Sequence, residues 1–153
     1  MKKIKKLLKH YYLFAFFIPF FILFLTYFIN GIYWKSDTSP LLGDGFHQYV
    51  IFDVTLRNIL HGTDSIFYTF TSGLGLNFYA LSSYYLGSFL SPLVYFFNLK
   101  NMPDAVYLFT LIKFGLMGLT CFISIKNIFK KICPYYILIL STSYSLMSFA
   151  VSQ

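Results

Sequence analysis

The residues best suited to chemistry lie in one polar stretch, SDTSPLLGDGFHQYVIFDVTLRNILHG, residues 36–62. Within it GDGFHQY sets Asp44 between two glycines, with His47 and Gln48 in the turn that follows. A carboxylate beside an imidazole and an amide could take a proton from a hydroxyl group. The same position also suits an N-cap, with Gly43 and Gly45 shaping the turn. Composition leaves both readings open. Asp53 and Arg57 stand four apart, a spacing that by default gives an exposed ion pair contributing about 0.3–0.5 kcal/mol. The functional alternative is that the planar fork of Arg57 contacts a lipid phosphate. His47 and His61 are too far apart along one helix to share a metal, and no C-x-x-C spacing occurs, so no metal site follows from the sequence. Cys121 and Cys133 read as structural thiols.

Lys113 is the one charge inside a long apolar run, and ionisable groups at membrane depth are functional candidates by default. Its expected partner is an aspartate of the outer segment or a lipid phosphate; the alternatives are a backbone carbonyl or snorkelling to the interface. Gly73 and Gly75 read as a turn, because no phosphate-loop lysine surrounds them.

The elements that must position these residues follow from composition. The 153 residues are 58% hydrophobic, 23% aromatic and only 11% charged, against roughly 25% charged in ordinary soluble domains. Such a chain cannot cover a water-exposed surface, which excludes a soluble enzyme. Lys2, Lys3, Lys5, Lys6 and Lys9 open the chain, and Lys126, Lys130 and Lys131 form a second basic group. All five carboxylates lie between them. Lysines flanking apolar runs read as positive-inside markers rather than as a nucleic-acid footprint.

The expected fold is therefore an all-α integral membrane protein. Residues 1–10 form a cytoplasmic basic tail, 11–34 a first transmembrane helix read as an uncleaved anchor, and 105–125 a second. Residues 126–133 make a cytoplasmic loop, and 134–153 a third helix that the sequence leaves truncated. Tyr33 and Trp34 suit the outer interface. The extracytoplasmic segment 35–103 holds an interfacial helix over 46–61, with Tyr49, Phe52, Leu56 and Ile59 on one face and Gln48, Thr55 and Asn58 off it. The apolar stretch 84–98 cannot cross without placing the second lysine group outside, so it is expected to enter and leave from the outer face.

Taken in order, SDTSPLLGDGFHQY, GLGLNFYALSSYYLGSFLSPL and LIKFGLMGLTCF resemble the YfhO family of bacterial multi-span membrane proteins, which are similar to GT-C glycosyltransferases. The matches run from Ser36 to about Phe122. The resemblance implies a bacterial plasma-membrane transferase that moves a sugar from a polyprenyl-phosphate carrier to a cell-surface polymer such as teichoic acid. Asp44 matches the acidic residue that serves as base. His47 and Gln48 would orient the acceptor or the sugar, with Arg57 and Lys113 beside the lipid phosphate. Such proteins have more spans than this chain, which implies an amino-terminal portion of a longer protein, inactive alone. The alternative is a small non-catalytic subunit that packs against a partner membrane protein through Lys113 and its aromatic faces.

Overall fold

The computed structural model describes residues 2–41 and 43–147, with side chains described from His10 onward. Among the described residues the regular elements are all helices, joined by turns and irregular segments that include one isolated antiparallel bridge between Thr69 and Leu76. Four of the helices are numbered α1 (Lys2–Ile29), α2 (Val50–Leu60), α3 (Phe78–Tyr85) and α4 (Met102–Ile128), and α5 follows at Pro134–Ser145. A π turn at Gly45–Tyr49 precedes α2, and 3₁₀ turns occupy Ser91–Phe96 and Leu99–Asn101. Two segments are long and apolar enough to cross a bilayer, His10–Ile29 with mean hydropathy 2.3 and Leu99–Ile128 with 1.9. The chain divides into two compact units, one holding α1, α5 and α4 from Thr110, the other comprising Gly31–Phe109.

In the helical unit, α1 and α4 run antiparallel, because Tyr12 meets Phe122 near one end while Phe16 meets Gly115 further along. Small residues make that approach possible. A Cβ at Gly118 would overlap the Ala15 carbonyl oxygen and come within 2.8 Å of Pro19 Cγ, and one at Gly115 would lie 2.8 Å from the Phe16 ring. Close approach through small residues is how helices associate in lipid, where burial of apolar surface gives no drive. Ala15, Phe122, Ile137 and Leu138 form the core, with Tyr11, Tyr12 and Ile132 against it. Phe14, Phe17, Phe21 and Leu25 face outward from α1, an apolar exterior suited to lipid rather than water.

The expected first span ran to Trp34, whereas α1 stops at Ile29. Asn30 returns its side-chain amide to the Thr26 carbonyl at 2.7 Å, and Gly31 adopts φ +78°, the left-handed conformation that ends helices. Hydropathy runs on past this point, but helical hydrogen bonding does not. At the other end of the pair, Lys126 Nζ donates to the Ile132 carbonyl at 3.0 Å and closes the turn between α4 and α5. Ile132 and Tyr11 pack against the same core cluster, so Lys126, Lys130 and Lys131 lie toward the amino-terminal end of α1. Helix α5 is described as far as Ser145, and the last part of the expected third span, residues 148–153, lies outside the described residues.

In the unit Gly31–Phe109, Phe52 of α2 packs with Phe78 and Leu86, and Ile51, Leu56, Ile59, Leu81 and Tyr85 surround them. Asn77 caps α3 by accepting the Ala80 amide. Residues 84–98 form no single helix: α3 ends at Tyr85 and helical structure resumes only at Ser91. Lys35 N–H donates to Asp104 Oδ1 at 2.8 Å, fastening the residues after Gly31 to the first turn of α4.

Candidate functional site

The start of the π turn is capped by backbone. Gly43, at φ +53°, lends its carbonyl to the amides of Phe46 and His47, each at 3.1 Å. Asp44 has helical dihedrals and makes no side-chain cap hydrogen bond. The N-cap reading is therefore corrected: the glycine carbonyl does that work, and the exposed Asp44 carboxylate is left available. His47 is also exposed, with its ring edge-on to Phe46 at 5.3 Å, and Gln48 is half-buried. Asp44, His47 and Gln48 thus share one turn whose wide hydrogen bonding recurs at functional sites.

Three tyrosines complete this end of the unit. Tyr85 lies edge-on to Tyr49 at 5.4 Å and to Tyr84 at 4.7 Å. Burial, then the neighbouring Tyr84, then the Asp44 carboxylate and Tyr49, push the Tyr85 phenol above its ordinary value. The phenol therefore stays protonated at neutral pH and can donate a hydrogen bond. An open groove of about 430 Å³ runs beside α3, lined by Leu56, Ser82, Ser83, Leu86, Ser88 and Ser91 among others. Ser82 and Ser83 both donate to the Tyr79 carbonyl, so their oxygens remain able to accept.

Arg57 is elsewhere. It is 13 positions beyond Asp44, about 20 Å along a helix, and its Nε donates to the Phe97 carbonyl. His61 stacks on Tyr95 at 4.4 Å and 11° and meets the Tyr95 carbonyl through Nε2. Both side chains hold the 3₁₀ turn Ser91–Phe96 against α2. Arg57 and Asp44 thus stand at different ends of the helical stretch Gly45–Leu60. Asp53 is buried rather than exposed. Lys113 belongs to the helical unit and is exposed there. Among the described residues no group of His, Cys, Asp and Glu gathers into a metal-binding cluster.

Sequence reasoning missed two features. Thr55 was expected off the buried face of α2, but it is 1% exposed and hydrogen-bonded to Thr71 at 3.1 Å, which in turn meets Thr69 at 2.7 Å. Helical periodicity along α2 carries no trace of threonines 16 positions away. The tyrosines around Asp44 were missed for the same reason: Tyr84 and Tyr85 are distant in sequence, and only their adjacency hinted at a shared cluster.

No curated protein and no solved structure matches the chain. The model of the family described as bacterial membrane protein YfhO matches residues 15–153, a range that takes in most of the first candidate span, all of the second, Asp44 with the π turn after it, and the serine-lined groove. With nearly the whole chain covered, it belongs to the YfhO family of bacterial membrane proteins.

Proposed function

We propose that this chain contributes the outer acceptor-activating segment of a membrane glycosyltransferase. The enzyme moves a sugar from a polyprenyl-phosphate carrier to a cell-surface polymer such as teichoic acid. The observation that carries the reading is Asp44: a carboxylate at the start of a helix, relieved of capping by the Gly43 carbonyl and exposed beside His47 and Tyr85. In the proposed step Asp44 accepts the proton of the acceptor hydroxyl as that oxygen bonds to the anomeric carbon. The bond from that carbon to the carrier phosphate breaks, and its electron pair leaves with the phosphate. His47 and Gln48 orient the sugar or the acceptor, and the serine-lined groove offers hydroxyl partners to a polyol.

The proposed setting is the bacterial cytoplasmic membrane with the amino terminus inside. Both lysine groups lie at one end of the helical unit, and the chain leaves α1 for residues 31–109 at the other. The positive-inside rule then assigns Asp44 to the outer face. Arg57, whose Nε donates to the Phe97 carbonyl, is given no role in this step.

The test is Asp44→Asn in the protein as the cell makes it, with transfer to the polymer assayed at matched protein levels. The proposal expects a loss of about 10²–10⁴-fold, the usual contribution of a general base. Undiminished transfer by Asp44→Asn would remove Asp44 from the mechanism.

A further inference from the structure

Helix α4 is polar on the wrong side for a helix bathed in lipid. Its buried face, formed by Leu111, Gly115, Gly118 and Phe122, packs inward, in part against α1. On the opposite face Lys113, Thr120, Ser124 and Asn127 are exposed, with Met117 half-buried among them. At 100° per residue these five lie within about 40° of Lys113. Thr120 returns its hydroxyl to the Leu116 and Met117 carbonyls. No described residue gives the Lys113 ammonium a hydrogen bond or an ion pair.

The depth of Lys113 follows from the antiparallel register. Gly118 meets Ala15 and Gly115 meets Phe16, which puts Lys113 level with about Phe20, the middle of the span His10–Ile29. The hydrocarbon core is about 30 Å thick, so either boundary is about 15 Å away, farther than a four-carbon side chain reaches. Snorkelling is excluded by that distance, and so is a headgroup phosphate, which sits at the boundary. At that depth a charge is met by an opposite charge, by backbone carbonyls or by water in a cavity, and an acid is the strongest of these partners. The helical unit has no acid to offer: the five carboxylates of the chain all lie between Asp37 and Asp104, in the other unit. A second copy in the same orientation would bring no acid to that depth.

We infer that the Lys113 face of α4 receives a membrane-spanning helix from outside these 153 residues, one that presents an Asp or Glu at mid-span to the ammonium. Thr120, Ser124 and Asn127 lie along the same contact, where small and polar side chains favour helix association. The inference is independent of the glycosyltransferase proposal, since it concerns assembly and not transfer.

A photo-reactive residue placed at Thr120, in the complete protein in its native membrane, tests it directly. A control goes at Phe21, on the outward face of α1. The expected cross-linked peptide from Thr120 contains an Asp or Glu within an apolar run, and Phe21 gives lipid adducts. Lys113→Asp then lowers the steady-state level several-fold, and changing the identified acid to Lys restores it. Lipid adducts alone at Thr120, or a cross-linked helix without an acid, would overturn the inference. So would Lys113→Leu raising the protein's level, because removing a charge that faces bare lipid stabilises the helix.

Discussion

The helical unit and the unit Gly31–Phe109 are held together by different means. Between α1 and α4 the contact is one of fit: Gly115 and Gly118 admit Phe16, Ala15 and Pro19, while Phe14, Phe17 and Phe21 face outward. In Gly31–Phe109 the helices are short and the backbone between them is irregular, so its carbonyls and amides need side-chain partners. Arg57 and His61 serve the carbonyls of Phe97 and Tyr95, and Asp104 serves the Lys35 amide. Regular helices satisfy their own backbone and can rely on packing. An irregular segment must be tied residue by residue, which is also what leaves a carboxylate such as Asp44 free once the Gly43 carbonyl has taken its place.

The difference is sharpest at Gly118. Gly118→Leu should separate α1 from α4, at a cost of about 3 kcal/mol or more, since even a Cβ overlaps backbone that cannot move aside. Thermal unfolding in detergent would show this, and hydrogen exchange should report it in α1 and α4 with residues 45–85 unaffected. Tolerance of leucine there would break the contrast. The counterpart in the other unit is Gly75, at φ +102° with the Tyr68 hydroxyl where a Cβ would stand. Gly75→Ala should cost about 1–3 kcal/mol. Adding Tyr68→Ala should recover only part of it, because the backbone strain remains.

A smaller effect is expected from the threonine link. Thr55→Val keeps the shape but removes the hydroxyl between α2 and Thr71, for about 1 kcal/mol. Faster amide exchange at Thr69 and Leu76 than elsewhere in the unit would check it. The smallest concerns Tyr85, whose phenol binds its proton more tightly folded than unfolded. The folded state then holds more protons above the ordinary tyrosine value, so this contribution to stability is present below about pH 10 and falls as pH rises further. Asp44→Asn should move the Tyr85 titration slightly downward, because burial and Tyr84 act more strongly. A spectrophotometric titration would detect the direction.

The membrane-embedded helices were legible because long apolar runs have few alternatives, and composition alone removed the soluble classes. Their ends were less so: Tyr33 and Trp34 extend the apolar run, but Gly31 ends the helix. In Gly31–Phe109 the periodicity identified the buried face of α2 through Phe52, Leu56 and Ile59. It misplaced Thr55, because its partner Thr71 comes from a loop with no period. The position of Asp44 was visible from GDGFHQY, but its release from capping depended on the backbone conformation of Gly43. Arg57 looked like a phosphate ligand because its type suits that role, while its carbonyl partner at Phe97 is 40 positions away.

The proposed setting puts the lysine-rich end of the helices inside the cell and Gly31–Phe109 outside. Labelling intact cells with a membrane-impermeant maleimide tests this most directly. It would use the exposed native Cys133 beside the basic turn and an Asp64→Cys variant in the exposed loop after α2. The account predicts that the cysteine at position 64 reacts in intact cells and Cys133 only after permeabilisation. Labelling of Cys133 in intact cells, with position 64 protected, would contradict it.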